Sequence, residues 1–483
     1  MSGSRTFFCL AVASLIGLAS EQRPLQTITV PGDAPASSYV PVAFGSGAYD
    51  ALLDCPGPQP TPVTDFEVRQ IPHLDEPPAR VPFRDPVFGT CVVRVTDRTA
   101  DIAPGDTSNG LLNEYARVQT FNADESRIMV RGTEATWYVY DAATLQPLAH
   151  HPTIEVEPRW DAQNPQQLTY TSGTQWLAYN ILTRQSRLVH DFGADLLGVS
   201  LATAWTRYEG SPSFDGRYYG VMAQDENWQS VAFLVYDRQT DQVIAKRNLP
   251  DSLPEIDSVT ISPLGNYFLV FFDYCPRGQL GDDAHPCGLM VYDRQLRQGR
   301  GLLRIAGHCD TALDAYGREV LVYQDIDTDH ISMLDLATGL VTPLWPIDFS
   351  HTASGLHFSG RASEQPGWAL ISTYNGGYPT SYTWMDDQVF AIELRPAGRV
   401  IRLAHTHSHY DETIEQDYWA EPHASINRDF TRAVFTSNWG RSGSTQVEMY
   451  MVEIPAEWTR APGVGDADVY LPLLSSAKTK TRF

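Results

Sequence analysis

The chain has 483 residues, with 35 basic and 58 acidic side chains and a formal net charge of −23. This deficit of Lys and Arg excludes general nucleic-acid binding, because no surplus of positive charge is available to neutralise phosphates. An acidic ligand stays possible, since a local arginine cleft works inside an acidic shell. On length alone the chain would form two or three domains, unless it is built from repeats.

The first twenty residues have the pattern of a secretory signal peptide, and we assign residues 1–20 to it. Arg5 precedes an apolar run from Phe7 to Leu18, with a predicted cleavage position near Ala19 or Ser20. The run is too short to span a membrane comfortably, and no later stretch reaches about 18 uninterrupted apolar residues. The sequence therefore predicts an exported protein, periplasmic or extracellular, without a membrane span.

Five cysteines follow the predicted cleavage position, and in an exported protein they are expected to form disulfides. Cys55–Cys91 and Cys275–Cys287 are the closest pairs along the sequence, which leaves Cys309 unpaired. The alternative is a metal site whose ligands come from Cys275, Cys287 and His308, with His285 or Cys309 as the fourth.

The rest of the chain divides into an irregular N-terminal arm (21–85), seven repeated units (86–458) and a C-terminal tail (459–483). Each unit has a turn of the Asn/Asp-x-Asp-Gly-Arg type, a β-branched or aromatic strand, and a partner strand that closes on an acidic residue or Asn. The partner strands are WYVYD (137–141), WLAYN (176–180), FLVYD (233–237), LMVYD (289–293), ISMLD (331–335), VFAIE (389–393) and MYMVE (449–453).

Alternating apolar strands bounded by Asp, Asn, Gly and Pro are typical of β-hairpins. One hairpin cannot bury its apolar face, whereas a ring of four-stranded blades can, and such a ring leaves few open edges. The sequence thus predicts an all-β fold, a seven-bladed β-propeller. We expect the N-terminal arm or the strand near Val92–Val95 to close the ring with the last blade.

Histidines concentrate in the long inserts between the repeats, where a propeller carries its function. The stretch Ala404–Trp439 contains His405, His407 and His409 at alternate positions, so an extended strand would place all three side chains on one face. Imidazole titrates near neutral pH, which makes His405 and His407 candidate acid–base residues. The alternative is that these histidines belong to a solvated loop.

Two successive units also supply ligands for a divalent metal. His357 lies in one unit, and Glu421 and His423 lie in the next, with Pro422 fixing the backbone between them. An imidazole pair with one carboxylate suits a transition metal better than calcium, and we consider Mn, Zn or Ca. The alternative for His357 is a structural hydrogen bond to the backbone.

A set of arginines and tyrosines forms a further candidate site. Arginine pairs with carboxylate or sulfate, and aromatic rings stack on pyranoses, so a funnel lined by both would bind an acidic sugar. The alternative is that each arginine braces a turn or a contact between blades. The members are Tyr115, Arg117, Arg159, Arg207, Tyr208 and Arg361.

The segments LHFSGRASEQPGWALISTY and EPHASINRDFTRAVFTSNW resemble exported bacterial propellers of the TolB type and, more distantly, the propeller polysaccharide lyases that act on oligogalacturonate or ulvan. In the oligogalacturonate lyases a His-Pro-His segment binds manganese. The matching segment here is Glu421-Pro422-His423, so the resemblance implies His423 as a ligand and Glu421 as a substituted one. His357 matches a further ligand by position. Where the ulvan lyases suggest a catalytic histidine, this chain has Tyr115.

Two functions follow. The first is a metal-assisted lyase that cleaves a uronate-containing glycan by β-elimination, acting as a monomer on an acidic polysaccharide or oligosaccharide. Arg207 or Arg361 would assist the metal, while Tyr208 joins His405 and His407 as a candidate acid or base. Tyr115, Arg117 and Arg159 would bind the substrate. The second is a non-catalytic propeller of the cell envelope that binds a glycan or a protein.

Overall fold

The computed structural model describes residues 53, 55, 57–149, 152, 154–196, 198–347, 354–375 and 382–460. The predicted signal peptide lies outside these residues, as does all but the start of the predicted C-terminal tail. Within the described residues the strands form seven antiparallel sheets, so the predicted seven-bladed β-propeller is confirmed. No helix in this described part is long and apolar enough to cross a membrane.

The chain forms strands with short connections and little helix. A 3-10 turn spans Phe192–Asp195, a second spans Glu415–Ala420, and the α-helix α1 spans Ala456–Thr459. In chain order the strands are β1 (Phe83–Arg84), β2 (Cys91–Arg94), β3 (Leu111–Leu112), β4 (Arg127–Gly132), β5 (Trp137–Asp141), β6 (Val156–Trp160), β7 (Gln167–Ser172), β8 (Gln175–Asn180), β9 (Gln185–Asp191), β10 (Leu201–Trp205), β11 (Tyr218–Asp225), β12 (Ser230–Asp237), β13 (Gln242–Asn248), β14 (Ile256–Ile261), β15 (Tyr267–Phe272), β16 (Leu289–Asp293), β17 (Arg300–Leu303), β18 (Cys309–Leu313), β19 (Glu319–Asp325), β20 (His330–Asp335), β21 (Val341–Pro346), β22 (Ser354–Ser359), β23 (Trp368–Asn375), β24 (Gln388–Glu393), β25 (Val400–His405), β26 (Ser425–Ile426), β27 (Arg432–Ser437) and β28 (Glu448–Glu453).

Six blades are meanders whose strand order follows the chain, and the last blade combines strands from both ends of the described chain. The sheets are β3–β5, β6–β9, β10–β13, β14–β17, β18–β21, β22–β25 and, in the last blade, β26, β27, β28, β2 and β1. The first strands of neighbouring blades touch, since β22 contacts both β18 and β26. These first strands therefore surround the central axis, and the fourth strands form the rim.

The repeated sequence unit corresponds to the second and third strands of a blade. The acidic residue that closes the third strand caps the turn after it. Asp141 Oδ1, for example, accepts hydrogen bonds from the backbone N–H groups of Ala143 (3.1 Å) and Thr144 (2.9 Å), and Asp335 makes the same pattern in another blade. Asp is favoured in such turns because its side chain satisfies local backbone donors.

The ring closes between the two ends of the folded chain. β2 pairs antiparallel with β28, with Cys91 opposite Glu453 and Arg94 opposite Tyr450. The predicted closure by the strand near Val92–Val95 is thus confirmed. Apolar side chains pack between blades, as where Leu370 and Leu403 meet Phe435 and Tyr450 across the last two. Each blade buries its faces against its two neighbours, which a single hairpin cannot do.

Both predicted disulfides, Cys55–Cys91 and Cys275–Cys287, are present. Cys309 is a buried free thiol. Because Cys275 and Cys287 are bonded to each other, the alternative metal site built on these two cysteines is excluded. Cys55 is one of the described residues of the predicted arm, and its disulfide fastens the arm to the strand that closes the ring.

Candidate metal centre at the propeller axis

Three of the predicted site residues meet at the axis. His357 lies in the first strand β22, and His423 lies two residues before the first strand β26 of the next blade. His357 Nε2 is 2.8 Å from Glu421 Oε2, and His423 Nε2 is 3.2 Å from the same oxygen. One ligand atom from each residue lies within 4.8 Å of the others, and all three side chains are buried.

The backbone that carries Glu421 and His423 is held from several sides. The 3-10 turn Glu415–Ala420 ends immediately before Glu421, and His423 has a φ of 42°, a conformation that is costly for a residue other than glycine. Asn113 Nδ2 donates to the carbonyl of His423 (2.6 Å), and the Thr436 hydroxyl donates to Asn113 Oδ1 (2.8 Å). A buried polar network therefore fixes the direction of the His423 side chain.

The protonation states of Glu421 and His357 are those that metal ligands require. Burial opposes ionisation of Glu421, but hydrogen bonds from His357 and His423 outweigh it and hold its pKa well below the usual range. Burial, together with the charge of His423, lowers the pKa of His357 well below its ordinary value. The centre thus combines an ionised carboxylate with a neutral imidazole of His357.

A shell of rings surrounds the three candidate ligands. The Tyr374 ring stacks on His357 at 5.4 Å between centroids, the Tyr115 ring lies 4.8 Å from His423, and His308 lies 4.7 Å from His357. The Tyr115 hydroxyl is 3.4 Å from His308 Nδ1. Tyr115 and His308 are partly exposed, whereas the three candidate ligands are buried. Sequence reasoning placed His308 in a different site and missed Tyr374.

The predicted arginines do not form a free cationic cleft. Arg117 pairs with Glu209 at 2.5 Å while its guanidinium lies over the Tyr115 ring, and Arg361 binds both oxygens of Asp310. Arg117 is thus adjacent to the centre, but its charge is balanced by a carboxylate from another blade. Burial and the nearby Glu209 charge raise the pKa of Asp257, close to this pair, to about 7.

Arg159 and Arg207 brace the surrounding structure, which is the alternative considered for them from the sequence. Arg159 donates to the carbonyls of Gly210 (2.9 Å) and Tyr208 (2.5 Å), and Arg207 pairs with Glu255 (3.0 Å). Tyr208 itself is partly buried in the connection between β10 and β11, and burial raises its pKa.

His405 and His407 lie away from this centre. His405 ends β25, the fourth strand of its blade, and the register places that strand three spacings, about 14 Å, from β22. The prediction of one extended strand through His409 is wrong, because the chain leaves the sheet after His405 and His407 has a φ of 52°. His405 packs on Phe88 of the ring-closing segment, and His407 stacks on Trp439 at 4.2 Å.

The donor set of the centre fits a divalent ion. Both imidazoles point Nε2 at one carboxylate oxygen, so the two nitrogens and the carboxylate converge on one small volume. Nitrogen and carboxylate oxygen together suit a transition metal, whereas calcium prefers oxygen ligands alone. His357, Glu421 and His423 are therefore the described residues that could hold an ion.

Comparison with known proteins supports the fold. No protein-family model matches the chain, and no curated protein matches it by sequence. An oligogalacturonate lyase in complex with manganese covers 82% of this chain and 98% of its own, with a TM-score of 0.52 and 12% identity. An oligogalacturonate lyase from Vibrio parahaemolyticus covers 83% and 100%, also with a TM-score of 0.52 and 12% identity.

TolB from Acinetobacter baumannii covers 61% of this chain and 63% of its own, with 18% identity and a TM-score of 0.31, too low to support an argument. At 12% identity the likeness to the two lyases shows a common architecture and no more. The resemblance noted from the two sequence segments is confirmed at that level: the chain is similar in fold to the oligogalacturonate lyases.

Proposed function

We propose that this chain is an exported, metal-assisted lyase that cleaves a uronate-containing glycan by β-elimination. The observation that carries the proposal is the convergence of His357, Glu421 and His423 beside Tyr115 and His308 at the axis of a lyase-like propeller. The two disulfides favour an oxidising compartment, periplasmic or extracellular. We expect the protein to act as a monomer.

β-Elimination on a uronate breaks the C5–H and C4–O bonds and forms a C4=C5 double bond, while the leaving oxygen gains a proton. The carboxylate must be neutralised first, since it makes the C5 proton acidic only when its charge is balanced. A manganese or zinc ion held by the three ligands would supply that positive charge when bound. Arg117 and Arg361 are already paired with carboxylates, so we assign the neutralisation to the ion rather than to them.

Proton transfer would be carried out by residues on the partly exposed side of the centre, where Tyr115 and His308 lie. Burial, together with the charges of Arg117 and His423, lowers the pKa of His308, which keeps this imidazole neutral and able to accept a proton. The Tyr115 hydroxyl faces His308 Nδ1, so the pair can take the C5 proton. Tyr208, kept protonated because burial raises its pKa, is our candidate donor to the leaving oxygen. We propose His308 and Tyr115 in place of His405, which ends the outer strand, and His407, which follows that strand.

The experiment is elemental analysis of the purified protein, run beside an ultraviolet absorbance assay for the new C=C bond on a panel of uronate polysaccharides. We expect stoichiometric Mn or Zn in the unaltered protein and its loss in His357→Ala and His423→Ala, together with the loss of turnover. His405→Ala is the matched control, and it should retain both. Turnover that persists in the metal-free variants would overturn the proposal.

A non-catalytic glycan-binding propeller is the second candidate, and the pairing of the arginines with carboxylates favours it, because no free cation is poised over a uronate among the described arginines near the axis. A protein that binds metal and glycan but produces no new absorbance on any polysaccharide would establish this reading.

A further inference from the structure

An aromatic row leads from the axis to the surface of the third blade. The rings of Tyr208 and Trp205 lie 5.1 Å apart between centroids, and those of Trp205 and Trp228 lie 5.9 Å apart. The first two residues are partly buried, whereas Trp228 is 56% exposed. Trp228 lies in the turn between β11 and β12, and since β10 runs antiparallel to β11, this turn lies beside the start of β10.

This row is held in place by hydrogen bonds. Trp205 Nε1 donates to Gln224 Oε1 (2.7 Å), and Gln224 Nε2 donates to the carbonyl of Trp228 (3.0 Å). The backbone N–H of Trp228 donates to the carbonyl of Asp225 (2.9 Å), and Trp228 has a φ of 61°. A large apolar ring is thus held toward solvent at the end of a hydrogen-bonded turn.

The aromatic row is continuous with the metal centre. Tyr208 is followed by Glu209, which pairs with Arg117, and the Arg117 guanidinium lies over the ring of Tyr115. Tyr115 in turn contacts His423. These contacts connect the centre, between the sixth and seventh blades, through the first blade to Tyr208 of the third blade.

We propose that Tyr208, Trp205 and Trp228 form a run of subsites that stack on successive sugar rings of the glycan chain beyond the cleaved bond. This inference rests on the proposed function for the class of ligand. Aromatic faces bind the C–H faces of pyranoses, and the tilts between neighbouring rings, 69° and 50°, match a chain that twists from one sugar to the next.

Two further observations favour a glycan chain over other occupants. A row of three rings is too small for a stable protein interface, which buries about 800 Å² per partner. Ionised Asp225 and exposed Glu226 flank Trp228, so the outer end binds the apolar face of a sugar rather than its carboxylate. Because these carboxylates would repel those of a uronate chain and salt screens the repulsion, the gain in affinity with chain length should not fall as the salt concentration is raised.

The test is affinity electrophoresis of the full chain in gels that contain polygalacturonate, alginate, glucuronan or a neutral xyloglucan, at low and high salt. We expect retardation by at least one uronate polymer, with an affinity about tenfold lower in Trp228→Ala, equivalent to about 1.4 kcal/mol. Tyr316→Ala is the control, because Tyr316 is 70% exposed on a different blade and should change nothing. Circular dichroism and metal content, both expected to be unaltered in Trp228→Ala, exclude misfolding.

The outcomes separate this inference from the proposed lyase. Equal retardation of the unaltered protein and Trp228→Ala, or no retardation by any polymer, would overturn the aromatic subsites. Retardation that depends on Trp228 without any new C=C absorbance would support the subsites and refute the lyase. Turnover of long chains that is unchanged in Trp228→Ala, but lost in His357→Ala, would refute the subsites and leave the lyase standing.

Discussion

Two pairs of histidines, His357 with His423 and His405 with His407, differ in their place in this propeller and in their partners, although three of the four come from one stretch of sequence. His423, with His357, shares one carboxylate oxygen at the axis. His405 ends an outer strand, and neither of its ring nitrogens has a hydrogen-bond partner among the described residues. The difference shows that the density of histidines in a sequence is a poor guide to a site. What matters is whether a residue starts an inner strand or ends an outer one.

The largest expected effect concerns the disulfide that links the N-terminal arm to β2, next to the segment that packs on His405. Replacing Cys55 and Cys91 together by Ser removes the link between the arm and β2, and we expect a loss of about 4 kcal/mol in the free energy of unfolding from loop entropy. Metal content at the axis should stay the same. Chemical denaturation measures the change, and the matched control is Cys275→Ser with Cys287→Ser, which opens a shorter loop and should cost about 3 kcal/mol.

At the axis, Glu421→Ala removes the acceptor that His357 and His423 share. Two buried imidazoles then lose their partner, and we expect the free energy of unfolding of the metal-free protein to fall by about 3 kcal/mol. Glu421→Gln keeps an acceptor oxygen and should lose less. Equal stability of Glu421→Ala and the unaltered protein in chelator would contradict the geometry described here.

The second pair of histidines, His405 and His407, should make the folded state sensitive to acid. Burial, with the charges of His407 and Arg402, lowers the pKa of His405 to about 3, and burial lowers that of His407 to about 4. The unfolded chain binds these protons near pH 6.5, so the folded state loses stability as the pH falls below that value. For His405 alone the loss is about 2 kcal/mol at pH 5.

Other charges face His405 and bear on this prediction. Its backbone N–H lies against the buried Asp85 carboxylate (3.3 Å), and Arg69 of the arm adds a further positive charge. His405→Phe should therefore flatten the stability profile between pH 6.5 and 5, as followed by thermal unfolding across that range. An unchanged profile would show that the arm opens before the imidazole is protonated.

The smallest effect compares two asparagines that brace the two groups. Asn113 holds the carbonyl of His423, and Asn438 holds the backbone of His409 through its N–H and its carbonyl, each at 2.8 Å. We expect Asn113→Ala to weaken metal binding about tenfold and Asn438→Ala to leave it unchanged. Both should cost about 1 kcal/mol in stability. Metal titration of the two variants distinguishes a positioning residue from a merely structural one.

Much of the architecture was accessible from the sequence, because it is local and repeated. The seven third strands and their capping acids, the ring-closing strand near Val92–Val95 and both disulfides were all predicted. At the axis, His357, Glu421 and His423 were grouped correctly in space, since two of them lie within one short segment fixed by Pro422.

What escaped prediction depends on contacts between distant blades. The partners of Arg117 and Arg361 are Glu209 and Asp310, and no local pattern connects these pairs. The same holds for His308, which reaches His357 only because both lie where inner strands of adjacent blades begin. The strand through His409 was mispredicted because alternation alone does not reveal where a chain leaves its sheet.

The pairing of β2 with β28 also limits the order in which the protein can fold. An early strand finds its partner only after the last blade has been made, so no ring can exist on a partly synthesised polypeptide. Until then the exposed backbone edge of β2 can form hydrogen bonds with a wrong strand. The Cys55–Cys91 disulfide joins residues that are much closer in sequence than β2 and β28, so it can form before the last blade is made. It then links β2 to the N-terminal arm. The strand β2 is therefore among the first to be synthesised and among the last to find its partner.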